Sequence, residues 1–314
     1  LGLGALAGAA AAAAAFTGRA EAAGAAGAAG AAGPSSPGGG RAGQPRAGSG
    51  KGSGMRGGLA LHSGATLIPS ATKTNGGEDA FFFLPRALGV ADGVGGWADV
   101  GVDPGIYARA LMSAAEKAVQ SELARAEASG AGSGDPVVVL RDAAKEAKGI
   151  RGGSTACILL LVGEELRCAN LGDSGFLVVR KGAVAFQSPP LQHSFNFPYQ
   201  LSGDAQYSDD VDKAQAMTFK VAPGDTVVCG TDGLFDNAYS EEICQAVVQG
   251  AQFKETPEET SKALADLAFK NATDQSKLSP WAAEARKHGY FSEGGGKMDD
   301  VTVVVSKVIH ESAL

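Results

Sequence analysis

The chain has 314 residues, 44% of them hydrophobic, and a formal net charge of −7, a length and apolar content that suffice for one large domain or two small ones. Up to Arg56 five basic residues face one acid, so the remainder carries −11. A domain that acidic is excluded as a general binder of nucleic acid or anionic membrane, whose phosphates need clustered Lys and Arg.

Residues 1–57 are almost entirely Ala, Gly, Ser, Pro and Arg. Arg-bearing, acid-poor and Ala-rich, this segment is expected to be an organellar transit peptide or a disordered tail, and the folded domain is expected over 58–314. The run Leu6–Phe16 is mostly alanine and falls short of the about 20 apolar residues of a membrane span, so no transmembrane segment is expected. Cys157, Cys168, Cys229 and Cys244 show no CxxC spacing and lie in apolar contexts. They read as small buried hydrophobes of a reducing compartment.

The fold opens with a strand over Leu59–Ile68. Two short strands follow around the turn Leu84-Pro85-Arg86, in the stretch from Gly77 to Trp97. Asp103-Pro104 has the form of a helix start, and Ile106, Ala110, Leu111, Ala114, Ala118 and Leu123 keep a helical period to about Ala128. Ser129–Gly134 breaks that helix, and Asp135-Pro136 starts a second one ending at Gly149. Four apolar runs come next, Ser154–Val162, Glu165–Asn170, Gly175–Arg180 and Ala183–Gln187. The two-residue links Gly163-Glu164 and Lys181-Gly182 are of the hairpin kind, which predicts an antiparallel meander. Residues 188–224 read mostly as loop, with one strand near Ala216–Val221, and Thr226–Gly230 reads as a buried strand. Helices are expected from a Ser240 cap to Val248, from the capping box Thr256-Pro-Glu-Glu259 to about Lys270, and from Ser279-Pro280 to Gly289. Val301–Ile309 closes the chain as a β-branched strand. Strands in antiparallel groups, interrupted by paired helices, argue for an α+β layered sandwich over a doubly wound parallel sheet.

Acidic residues recur at strand ends, beside Gly or in short turns: Glu78-Asp79, Asp92-Gly93, Asp173, Asp232 with Asp236, and Asp299-Asp300. Neighbouring buried carboxylates repel one another, so a chain that gathers several of them needs compensating positive charge, most simply divalent cations. Oxygen ligands without His or Cys select hard ions, Mg²⁺ or Mn²⁺, and two such ions can clamp phosphoryl oxygens and activate a water for in-line attack. Phosphoester hydrolysis is the implied chemistry. Gly93 fits because a residue without Cβ lets its carbonyl approach an ion closely.

Six segments, Glu78-Asp79, Val90-Ala-Asp-Gly93, Gly153-Ser-Thr-Ala156, Ala169-Asn-Leu-Gly-Asp-Ser174, Thr231-Asp-Gly-Leu-Phe-Asp236 and Asp299-Asp-Val-Thr302, run in one order across residues 65–309. As a set they resemble the metal-dependent protein phosphatases of the protein phosphatase 2C type. Ala91-Asp-Gly-Val-Gly-Gly-Trp97, the stretch Gln192–Leu201 and Gly294-Gly-Gly-Lys297 are similar to its organelle-associated branch, with plastid and mitochondrial members.

The resemblance implies two central antiparallel sheets flanked by helices, with two Mn²⁺ or Mg²⁺ ions in the cleft between them and a weaker third. Asp92 would bridge two ions, with the Gly93 carbonyl beside it, and Asp232 and Asp299 would complete the second site. Those three aspartates would form the catalytic centre. Asp79 would belong to the same metal-binding set, Glu78 would hold a water next to the ions, and Asp173 and Asp236 would serve the third site. Phosphorylated proteins, with phosphoserine or phosphothreonine, would be the substrates of a monomeric enzyme in the chloroplast, or alternatively the mitochondrion.

Two positions depart from the family pattern. The arginine that precedes the first acidic pair is replaced by Thr72-Lys-Thr-Asn75, which leaves Lys73 as its stand-in, and the histidine after Asp-Gly is Val94. His193 is a candidate for the missing acid. These departures keep open an alternative, a pseudophosphatase that binds phosphoproteins without turnover. Three other signals fail. Gly172-Asp-Ser-Gly175 lacks the His and Asp contexts of a serine protease, Gly50-Lys51 lacks the glycine and Ser/Thr of a P-loop, and the sequon Asn271-Ala-Thr273 lacks a secretory context.

Overall fold

The computed structural model describes residues 58–73, 75–129, 134–290 and 294–314. The leader expected over residues 1–57 lies outside the described residues. The folded part begins with β1 (Leu59–Ile68), followed by the hairpin β2 (Ala80–Leu84) and β3 (Ala87–Ala91). Helices α1 (Pro104–Ser129) and α2 (Pro136–Glu146) come next. Strands β4 (Gly153–Ser154), β5 (Ala156–Val162), β6 (Glu165–Leu171), β7 (Gly175–Arg180) and β8 (Ala183–Gln187) follow in quick succession. Three short strands, β9 (Gln192–Ser194), β10 (Phe197–Pro198) and β11 (Leu201–Ser202), lead to β12 (Gln215–Lys220) and β13 (Thr226–Gly230). After helices α3 (Asp232–Phe235), α4 (Ser240–Gln252), α5 (Pro257–Thr273) and α6 (Pro280–Lys287), the chain closes with β14 (Val301–His310).

Two five-stranded antiparallel sheets result, in the orders β12-β6-β5-β3-β2 and β1-β14-β13-β7-β8. Strand periodicity explains why they stack, because successive side chains of a strand point to opposite faces. In β5, Cys157, Leu159 and Leu161 enter the core between the sheets, while Ala156, Ile158 and Leu160 join Tyr107, Leu111, Val139 and Leu140 beneath α1 and α2. In β14, Val304 and Val308 enter the same central core, while Val301, Val303 and Val305 meet Ile243, Val247, Leu264 and Ala268 of α4 and α5. Both sheets are thus apolar on both faces. This is the helix–sheet–sheet–helix sandwich expected, and the four cysteines are free thiols, three of them in the central core.

The four runs expected to form one meander divide instead. Strands β5 and β6 pair within one sheet and β7 and β8 within the other, and β6 does not pair with β7. The turn Gly172-Asp173-Ser174 carries the chain across, with Gly172 at φ +109°, where an L side chain is strained. Strand-strand connections of two residues did form the hairpins, with Lys181 and Gly182 both at positive φ, as a primed turn requires. The cap of α4 is also shifted from the expected Ser240 to Tyr239, whose N–H donates to the Glu242 carboxylate at 3.0 Å. The Ser240 hydroxyl is directed to Gln187 instead. The remaining helix starts follow the sequence signals: Asp135 accepts from the Val137 N–H and Thr256 from the Glu259 N–H.

Candidate metal centre

Strand pairing gathers the acidic residues at one end of the sandwich. Ala80 is opposite Ala91 in the β2–β3 hairpin, so Asp79 and Asp92 emerge side by side. Asp92 is fixed through its backbone: its N–H donates to Thr155 Oγ1 at 3.1 Å, and its carbonyl accepts the Thr155 N–H at 2.9 Å. The Thr155 hydroxyl is itself hydrogen-bonded to Ser174 Oγ at 2.8 Å, across the crossing turn that carries Asp173. The Gly93 N–H donates to the Glu78 carbonyl at 3.2 Å, and a Cβ at position 93 would lie 2.8 Å from that oxygen. Only glycine lets the two acidic segments approach so closely.

From the other sheet, β13 ends at Gly230 and Asp232 opens the one-turn helix α3, with Asp236 at its end. Gly233 packs so tightly on the segment before β14 that a Cβ there would fall 1.9 Å from the Asp300 carbonyl oxygen. That contact brings Asp299 and Asp300 alongside α3. Asp92, Asp173 and Asp232 each place a carboxylate oxygen within 4.8 Å of the other two.

The electrostatics follow from this crowding. Burial holds the Asp92 carboxyl well above the usual carboxylate range, and the neighbouring charges of Asp232, Asp79 and Asp299 push it further. Burial, then Asp232, raises Asp173 to about 6. Asp236 is raised by burial and the Asp232 charge, and burial lifts Asp79 to about 7. Asp299 runs the other way: burial would raise it, but the ammonium groups of Lys297 and Lys73 outweigh burial and lower it.

These lysines are the cations of the cluster. Lys73 Nζ lies 2.7 Å from Glu78, 2.6 Å from Asp299 and 3.0 Å from Asp300. Lys297 Nζ contacts Asp232 and lies 3.3 Å from Asp299 and 3.6 Å from Asp236. Among the described residues, Lys73 and Lys297 pair with five carboxylates, Glu78, Asp232, Asp236, Asp299 and Asp300, while Asp79, Asp92 and Asp173 crowd in beside them. One oxygen each of Asp79, Asp173 and Asp232 is buried with no donor among the described residues. Buried carboxylate oxygens seldom go without a partner, and a set of oxygen-only donors with spare lone pairs fits a hard divalent cation.

Asp173, expected apart with Asp236, joins Asp92 and Asp232, whereas Asp299 and Glu78 lie outside that triple and are joined to each other through Lys73. Asp79 accepts the Thr231 hydroxyl at 2.8 Å. Asp300, not among the expected ligands, is a bracket: its two oxygens accept the Ser70 and Glu78 N–H groups at 2.7 and 2.6 Å. His193 stacks on Tyr199 with ring centroids 3.7 Å apart and directs Nε2 to Asp209, so its ring braces the loop. Sequence reasoning missed Lys297 as a member of the cluster, although it stands two residues before Asp299. It also missed Asn237, whose side chain bonds both the N–H and the carbonyl of Lys297.

Two antiparallel sheets in an α+β sandwich with a cluster of aspartates at one end define a class, and the chain belongs to the protein phosphatase 2C family. The family model described as Stage II sporulation protein E (SpoIIE) matches residues 87–309. Among curated relatives, "Probable protein phosphatase 2C 80" of Arabidopsis thaliana is 46% identical over 80% of this chain and 59% of its own length. "Probable protein phosphatase 2C 26" of the same plant is 36% identical over 80% of this chain and 85% of its own. The chain spans 59% and 52% of the length of the two plant relatives it matches at 46% identity. Of solved structures, that of the photosystem II phosphatase PBCP is 35% identical with a TM-score of 0.71, covering 79% of this chain and 98% of that one. The catalytic domain of the serine threonine protein phosphatase PstP, solved in complex with 2 manganese ions, shares the fold at 21% identity and a TM-score of 0.52, covering 80% and 99% of the two chains.

Proposed function

We propose that this chain is a metal-dependent serine/threonine protein phosphatase that hydrolyses phosphoserine and phosphothreonine. The observation that carries the reading is the convergence of Asp92, Asp173 and Asp232 from both sheets, with oxygens within 4.8 Å of one another and spare lone pairs on Asp173 and Asp232. Bound there, Mn²⁺ or Mg²⁺ ions supply Lewis-acid polarisation of the phosphoryl group and acidify the attacking water. Asp92, Asp173 and Asp232 would hold the ions, and Asp236 and Asp299, which lie 3.6 and 3.3 Å from Lys297, would complete the ligand set. Lys73 pairs Glu78 with Asp299 and so ties the two acidic segments to each other. Asp79 and Asp300 support the set from behind, one on Thr231 and the other on the backbone of Ser70 and Glu78.

The substrates in this reading are phosphoproteins of an organelle, the chloroplast in preference to the mitochondrion. Support comes from the likeness to the photosystem II phosphatase and from the alanine-rich, acid-poor composition of residues 1–57. Among the described residues no helix is long and apolar enough to cross a membrane. The test is hydrolysis of a phosphothreonine peptide with Mn²⁺ and with EDTA. Turnover with Mn²⁺ that stops in EDTA is expected, and a folded, Mn²⁺-loaded protein without turnover would overturn the reading in favour of a non-catalytic phosphoprotein binder.

A further inference from the structure

We infer that the pocket beside the acidic cluster is the subsite for the side chain adjacent to the phosphorylated residue, and that it takes a large apolar one. This inference rests on the phosphatase reading above and names what that reading leaves open, the sequence preference of the polypeptide.

The pocket has a volume of about 250 Å³, and Asp173 and Asp236 form its wall toward the cluster. It therefore begins where a phosphoryl group held at the cluster would end. Drug-sized ligands fill pockets of roughly 300–1,000 Å³, so this one is matched to a single side chain. Phe195, Phe235, Trp281 and Glu284 also line it.

Those aromatic walls are already assembled. Phe195 lies in the turn between β9 and β10, where Asn196 adopts φ +55°, and its ring packs 6.0 Å from Trp281, 5.2 Å from His288 and 5.4 Å from Tyr290, centroid to centroid. The turn and α6 thus meet through rings, which present a rigid apolar surface at little cost in conformational entropy.

The chemistry of the lining selects the occupant. No lysine or arginine lines the pocket, and its charged members, Asp173, Asp236 and Glu284, repel an acidic side chain. In the phosphatase reading Asp173 is committed to the ions, while Asp236 lies 3.6 Å from Lys297 and Glu284 2.7 Å from Lys287, so a basic side chain would have to compete for its counter-charge. Aromatic and aliphatic side chains gain most from the three rings.

The test uses the full chain with Mn²⁺, p-nitrophenyl phosphate as a small ester, and phosphothreonine peptides that differ only in carrying Phe, Arg or Gly next to the phosphorylated residue on either side. Phe is expected to raise kcat/KM about tenfold over Gly, chiefly through KM. In Phe195→Leu and Trp281→Phe, the ratio of Phe-peptide to p-nitrophenyl phosphate turnover is expected to fall severalfold. A preference for Arg, equal rates for Phe and Gly, or a ratio unchanged in both variants would overturn the inference while leaving the phosphatase reading intact. Absence of p-nitrophenyl phosphate hydrolysis as well would overturn both.

Discussion

Lys297 places its ammonium against the Asp232 carboxylate while also reaching Asp299 and Asp236. A monovalent cation is thereby lodged among the carboxylates of a candidate divalent site. An ammonium and a divalent ion at contact distance from the same oxygens repel each other, so one must yield to the other.

Lys297→Met is accordingly expected to tighten Mn²⁺ binding by about tenfold or more, the order of effect of one adjacent like charge in a shielded site. The same substitution is expected to lower the melting temperature in chelator, because it strips counter-charge from the carboxylates. Calorimetric titration and a melting curve check both signs.

Asp232→Asn is expected to reduce Mn²⁺-supported turnover by roughly a hundredfold or more, since it removes a candidate metal ligand. In chelator the variant is expected to melt higher than the parent. It deletes one of the charges that hold Asp92, Asp173 and Asp236 above their ordinary range.

Stability of the metal-free protein is expected to fall as pH rises. Asp173 is raised to about 6 and Asp79 to about 7, against 3.8 for an ordinary aspartate. A carboxyl whose pKa is raised by folding favours the folded state most when both states are protonated, and that contribution is lost as pH rises through the folded value. Melting temperatures in chelator should therefore decline between about pH 4 and pH 7, and saturating Mn²⁺ should flatten the decline. A flat or rising profile in chelator would contradict the charge balance described.

Gly233→Ala is expected to destabilise the fold by about 2–4 kcal/mol, because its Cβ would meet the Asp300 carbonyl oxygen at 1.9 Å. Denaturant titration measures it. The change should also weaken Mn²⁺ binding, since the contact aligns Asp299 with α3.

Much of this arrangement was legible in the sequence because strands and caps have local signatures. The period-2 pattern of β5, the two-residue links and the Asp-Pro and Thr-Pro helix starts are each decided within a few residues. The sheet partner of β7 was not legible: nothing between Leu171 and Gly175 distinguishes a return hairpin from a crossing turn, and the choice is made by distant pairing with β13. Acidic residues beside glycine marked the candidate site, yet spacing alone could not show that Asp173 stands with Asp92. Lys297 was hidden for a similar reason. Its place depends on Asn237, 60 residues away in sequence, which grips its backbone through two hydrogen bonds.

The crossing turn also bears on cooperativity. Asp92 extends from one sheet and Asp232 from the other, and Asp173 stands on the link between them. An ion held by all three would act as a further cross-brace between two layers that this end already joins through the Thr231–Asp79 and Glu78–Asp300 hydrogen bonds. Loading with Mn²⁺ should then slow amide exchange in β3 and β13 together.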